Sequence, residues 1–240
     1  MTCSPIRAFT RALASLVRDH DTAEILADLL DDAQTVLNAA AVGLLIRTEG
    51  GGLDVLTATS HRAAELELYQ AQQHDGPSID AIDTVAPVHA DSASAITRRW
   101  PTAGPAIVDA GYVSVHAFPL RWHDTPLGAL NVLYVADQAC PFRDPHGREC
   151  LAAAQAFADL AALVLVQHQK MDAVQLREVT EQALAGRTIV EQAKGVIAFQ
   201  QGLPIDKAYT TLRDHAAGEG QSLTAAAEGV VTRATQRPHA

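Results

Sequence analysis

The chain has 240 residues with 18 basic and 28 acidic side chains, a net charge of −10, 48% hydrophobic residues and a mean hydropathy of +0.03. That length fits one large domain or two small ones, and the apolar content excludes a wholly disordered chain. No stretch reads as the roughly 18–20 continuous apolar residues of a membrane span.

Residues 4–38 read as helix. Ile6, Phe9, Leu13, Leu16 and Val17 recur at helical spacing, and so do Ile25, Leu29, Val36 and Leu37. His20-Asp21-Thr22 breaks the run, and Asp21 or Thr22 caps the second helix. Residues 41–46 and 53–59 are apolar runs around the cluster Gly50-Gly51-Gly52, which predicts a β-hairpin. A helix is expected over 61–73, a turn at Asp75-Gly76-Pro77, a strand over 85–90 and one short helix over 98–110. Residues 113–120 and 127–135 predict two strands joined through His123-Asp124-Thr125-Pro126. This order of elements predicts an α+β domain on an antiparallel sheet.

From Gly147 to about Gln201 the apolar residues keep helical spacing in two heptad frames. Phe157, Leu160, Val164, Met171 and Val174 make the first frame. Leu176, Val179, Ala183, Val190, Ala193 and Ile197 make the second, out of step near Gln175. A stripe of that length needs a partner, and a parallel homodimer through this segment is the favoured reading. The alternative is a helix folded back on its own domain.

The acidity at first argues against a nucleic-acid partner. It is unevenly placed, however. Residues 1–170 carry 11 basic and 20 acidic side chains (−9), whereas residues 171–240 carry 7 and 8 (−1). Within that nearly neutral tail lie Arg187, then Gln192-Ala193-Lys194-Gly195, then Ala208-Tyr209, Leu212-Arg213, Leu223 and Ala227. These blocks, at this spacing, closely resemble an ANTAR domain, the three-helix RNA-binding module of bacterial transcription antiterminators. The resemblance covers about 171–234.

Local chemistry agrees with a three-helix unit. Gly202-Leu203-Pro204 ends the first helix, and Asp206 sits in the first turn of the second. Ala208, Leu212 and Ala216 form a buried stripe. Ser222 caps the third helix, whose Leu223, Ala226, Ala227, Val230 and Val231 face inward.

The resemblance implies RNA contacts from Arg187, Gln192, Lys194, Lys207 and Arg213. Arg187 and Lys194 are seven residues apart and share a helix face, suited to phosphates. The Gln192 amide can read a base edge. Simpler roles stand beside these: a surface ion pair of Arg213 with Asp214 or Glu219, a buried amide for Gln192, and close helix packing at Gly195.

Residues 21–168 in turn resemble a GAF domain of the kind coupled to ANTAR modules in actinobacteria. The carrying stretches are 41–46, 75–81, 85–88, Arg99-Trp100-Pro101, 114–120 and 126–131. Ser78 stands where that family often has cysteine. The resemblance implies a small-molecule pocket over one sheet face or a dimerisation scaffold. Trp100, Tyr112 and His116 are the candidate pocket residues, with core packing as the alternative.

The expected architecture is therefore α+β. An N-terminal GAF-like domain (1–168) is joined by a long helix or coiled coil to a C-terminal three-helix ANTAR domain (169–240). Cys3, Cys140 and Cys150 are too far apart for a metal or disulfide framework, and the histidines show no H-x-x-x-H spacing. No metal, and no particular cofactor, follows. No apolar signal core follows Met1, so the cytoplasm is the expected location, with no membrane partner.

There is no G-x-S-x-G, P-loop or Rossmann fingerprint, so no enzyme is expected. The functional expectation is an RNA-binding antitermination regulator acting as a homodimer on leader stem-loops. The alternative is a small-molecule GAF sensor whose C-terminal helices serve only for dimerisation.

Overall fold

The computed structural model describes residues 5–17, 21–48, 50–123, 125–138, 140–143, 147–166 and 173–236. Two helices open the chain, α1 (Pro5–Val17) and α2 (Thr22–Val36). The hairpin β1 (Ala41–Arg47) and β2 (Leu53–Ala58) follows. Four helices come next: α3 (His61–Gln73), α4 (Pro77–Thr84), α5 (Ala93–Arg99) and α6 (Ala103–Asp109), with β3 (Val88–Ala90) between α4 and α5. The long hairpin β4 (Tyr112–Trp122) and β5 (Thr125–Val135) completes the sheet. Then come α7 (Gly147–Val166), α8 (Ala173–Gln201), α9 (Ile205–Glu219) and α10 (Leu223–Thr235).

The five strands lie in the order β2-β1-β5-β4-β3, and every pairing is antiparallel. Strand periodicity of two gives the sheet two buried faces. Leu44, Ile46, Phe118, Leu120, Leu130 and Val132 face α2 and α7, on which α1 packs. Leu45, Val55, Val115, Ala117, Ala129 and Leu133 face α3–α6. The sheet is thus the middle of three layers.

Several expectations meet a different outcome. Asp75-Gly76-Pro77 is a turn that starts a helix: Pro77 occupies the first position of α4, and Gly76 precedes it at φ 140. A Cβ at Gly76 would collide with the Gln70 amide. The expected helix over 98–110 is two helices. Trp100 closes α5, and the backbone amides of Thr102 and Ala103 at the start of α6 both donate to Asp75 Oδ2 at 2.8 Å. The third strand is shorter than expected, because Val85 takes a left-handed conformation at the end of α4.

The long apolar stripe also resolves differently. In the first heptad frame, Phe157, Leu160 and Val164 are buried in the core beneath the sheet, so α7 folds back on its own domain. In the second, Val190, Ala193 and Ile197 are buried against α9 and α10. Ala183, also of the second frame, is buried in the core beneath the sheet, so α8 contributes to both cores. Met171, Val174, Leu176, Val179 and the boundary at 168/169 lie outside the residues described, or have side chains that do. The α7 helix is also long and apolar enough to cross a membrane, with a mean hydropathy of 1.7 over its best window. The sequence reading passed over that run, in which Phe157, Leu160 and Val164 pack in the core while Leu151 and Leu163 are exposed.

Candidate RNA-binding face and interdomain cleft

The C-terminal unit is built as its local chemistry dictates. Gly202 turns the chain at φ 63, and Pro204 precedes α9, whose first turn carries Asp206. Gly220 ends α9 in the left-handed region. Ser222 accepts a hydrogen bond from the Ala225 amide and so caps α10. Ala193, Ala208 and Ala227 are fully buried where the three helices meet, and their small side chains permit that close approach.

This unit rests on the sheet domain. Asp21 ties the two together with one carboxylate. Its Oδ1 accepts from the Ala23 amide at 2.8 Å and caps α2, while its Oδ2 accepts from the Thr224 amide in the first turn of α10 at 3.1 Å. A second tie joins α8 to β2: Arg187 Nη1 donates to Asp54 Oδ1 at 3.4 Å.

Between these ties lies a cleft of about 410 Å³. Leu26, Leu30 and Leu56 form its apolar side on the sheet domain, and Arg187, Lys194 and Tyr209 line it from the helical unit. Lys194 Nζ donates to both carboxylate oxygens of Glu191 at 2.8 and 3.0 Å and stands 5.8 Å from the Tyr209 ring centroid. Burial pushes the Tyr209 hydroxyl to higher pKa, reinforced by Asp31, Asp28 and Glu24 on α2 and opposed by Arg213. Burial likewise raises Asp31, with Asp28 adding and Arg213 opposing. The acidic face of α2 therefore looks onto the cationic face of the C-terminal unit.

The five candidate RNA residues are not gathered in one patch. Arg187 and Lys194 share the cleft, with side chains 26% and 16% exposed. Arg213 Nε lies 3.9 Å from Asp214 Oδ1, the ion pair weighed from sequence. Gln192 and Lys207 are exposed, so Gln192 is not a buried amide. Gly195 does not serve close packing: an added Cβ there would meet no atom within 4 Å.

The three candidate pocket residues are core residues. Trp100 is 1% exposed, and its indole Nε1 donates to Asp80 Oδ2 at 3.1 Å. Tyr112 is buried on the same face of the sheet. His116 is buried too, with Nε2 at 3.2 Å from Ser114 Oγ and 3.3 Å from Asp91 Oδ1, and its ring against Phe142. None of the three lines the cleft.

Ser78 has a structural partner. It donates to Glu67 Oε2 at 2.8 Å while Asn131 Nδ2 donates to Glu67 Oε1 at 2.7 Å, both inside the core. Gly43 makes room for this carboxylate, since a Cβ there would lie 2.8 Å from Glu67 Cγ. Sequence reading missed Glu67, and a lone glutamate on a helix otherwise carries no signal of burial. It also passed over Phe199, which is 91% exposed on α8.

The sheet order and its flanking helices define an α+β domain, followed by a helical module. Comparison with protein-family models matches residues 21–165 to the GAF domain and residues 178–231 to the ANTAR domain. The chain belongs to the GAF family and carries a C-terminal ANTAR domain; both are regulatory domains, and the pairing fits an ANTAR-type RNA-binding antitermination regulator.

Among solved structures, a GAF domain from an Acinetobacter phosphoenolpyruvate-protein phosphotransferase is similar at 11% identity and TM-score 0.50, covering 72% of this chain and 100% of that one. The phycoerythrobilin-bound GAF domain of a cyanobacterial phytochrome is similar at 13% identity and TM-score 0.52, covering 70% and 97%. The nlh2 GAF domain of A. Aeolicus is similar at 13% identity and TM-score 0.50, covering 69% and 97%. At these identities the likeness is one of fold. No curated protein matches the chain.

Proposed function

We propose that the chain is an antitermination regulator whose ANTAR domain binds paired stem-loops of a leader RNA, with Arg187, Gln192, Lys194, Lys207 and Arg213 as contact residues. Two copies acting as a homodimer would engage two hairpins, the second at high effective concentration. The GAF domain acts as the regulator of that binding, with a small molecule as its signal. One observation carries the regulatory part. Arg187 and Lys194, the two cations suited to phosphates, line the cleft against the GAF domain, and Arg187 is tied to Asp54. A molecule that enters the cleft touches both domains and so shifts the balance between docked and released ANTAR.

The test begins with sequencing of the RNA that co-purifies with the full chain, followed by gel shifts with that RNA. Lys194→Ala is expected to weaken binding. Asp54→Ala frees Arg187 and is expected to tighten binding a few-fold, the scale of one half-exposed ion pair. Unchanged affinity in Lys194→Ala refutes its assigned role. Weaker binding in Asp54→Ala refutes the docked state as a brake. If no RNA is recovered and none binds, the sensor-only alternative is favoured.

A further inference from the structure

The α8 helix has two faces with different fates. Arg187 and Lys194 turn into the cleft. Gln192 is two residues before Lys194, which places it about 200° around the helix, on the far side. Thr188, Gln192, Gly195 and Phe199 follow at spacings of four, three and four, so they form one stripe, and all four are exposed.

Phe199 is 91% exposed, more than any other large hydrophobic side chain among the described residues. It belongs to neither core, since the buried stripe passes through Ala193 and Ile197 instead. One turn away, Gly195 leaves bare backbone, with nothing within 4 Å of where a Cβ would stand. A turn beyond that, the Gln192 amide offers one acceptor and two donors. The stripe is therefore an aromatic face, a flat notch and a hydrogen-bonding group in a row.

We propose that this stripe is a base-stacking site: one unpaired RNA base stacks on Phe199, lies over the Gly195 notch and is read at its edge by Gln192. This rests on the RNA-binding reading above and adds to it a residue and a mode of contact. Single-stranded RNA is recognised by this chemistry, since splayed bases stack on aromatic rings and expose their hydrogen-bonding edges. Size favours a base over a second copy of the chain. One phenylalanine offers about 200 Å², against roughly 800 Å² per partner in a stable protein interface. The site is sequence-tolerant through stacking, and it adds a contact on the helix face opposite Arg187 and Lys194, which are ion-paired in the cleft.

The experiment uses the full chain and its co-purified RNA. Phe199→Leu is expected to lose roughly tenfold or more in affinity, whereas Phe199→Tyr and Phe199→Trp retain it. Gly195→Ala is the second variant. Alanine favours the helix, so the protein should melt at a higher temperature yet bind RNA more weakly, which a purely structural glycine would not produce. Ultraviolet crosslinking with peptide mass spectrometry should place a nucleobase adduct on Phe199.

Equal binding by wild type and Phe199→Leu overturns the proposal while leaving the RNA-binding reading intact. A shift of Phe199→Leu from dimer to monomer in sedimentation, with no adduct on Phe199, also overturns it and makes the stripe a contact between copies. If the wild type binds no RNA, the RNA-binding reading fails and this site falls with it.

Discussion

Trp100→Ala is expected to destabilise the GAF domain by about 3–5 kcal/mol, measured by chemical denaturation. The indole is 1% exposed and packs in the core between the sheet and α3–α6. It also anchors polar groups: Nε1 donates to Asp80 Oδ2, and Arg99 Nε donates to the same oxygen, each at 3.1 Å, with the guanidinium 5.1 Å from the indole ring centroid. Truncation therefore opens a cavity and removes a partner from Asp80. Trp100→Phe keeps most of the packing and should cost far less, near the roughly 1 kcal/mol of a single hydrogen bond. The pair of variants separates core from pocket. A residue lining an open ligand site would lose binding on truncation with little change in stability.

The second large effect is a pH dependence centred on Glu67. Burial raises its carboxyl pKa from 4.5 to about 7, against the pull of hydrogen bonds from Ser78 and Asn131 and an interaction with Gln70. In the unfolded chain the group ionises near 4.5, whereas in the fold it holds its proton until about 7. Between these values the folded state binds more protons, so stability falls as pH rises through that window and levels off above it. The full loss is roughly 3 kcal/mol, from 1.36 kcal/mol for each pKa unit.

Glu67→Gln should remove most of this slope, because an amide stays neutral and still accepts from Asn131 through its oxygen. Asp31 and Asp32 are also raised by burial and tilt the background the same way. The readout is therefore the difference between wild type and Glu67→Gln in denaturation free energy at pH 5 and pH 8. A slope identical in the two proteins would refute the assignment.

The sheet was legible because its pattern is local. Apolar runs at 41–46 and 53–59 around three glycines specify a hairpin, and the second hairpin reads from two apolar runs around His123-Asp124-Thr125-Pro126. The three-helix unit was legible for a similar reason, since its caps and stripes are written in neighbouring residues. The α4 helix was not, because Gly-Pro signals a turn and, as here, a helix start equally well.

Burial partners were legible only as a need. The heptad stripe of Phe157, Leu160 and Val164 declares that a face must be covered, yet periodicity is silent on whether a sheet or a second chain covers it. Trp100 and His116 were read as pocket residues, although their surroundings come from segments remote in sequence. The cleft was invisible for that reason too, since α2, β2, α8 and α9 must assemble before it exists. Phe199 left a signal that could have been found: a large apolar side chain two residues past Ile197, off the buried stripe.

The divided carboxylate of Asp21 has a consequence for how the molecule opens. Its two oxygens hold amides of α2 and α10, and Thr224 lies 203 residues along the chain from Asp21. The GAF and ANTAR domains are separate in sequence, but at this point they share one acceptor. Release of the ANTAR domain breaks only the Thr224 bond, because the Ala23 bond is a cap within α2, so hydrogen exchange at Thr224 should report that opening while Ala23 stays protected. In Asp21→Ala both amides lose their acceptor and both should exchange faster, Ala23 through loss of the α2 cap and Thr224 through loss of the tie between the domains.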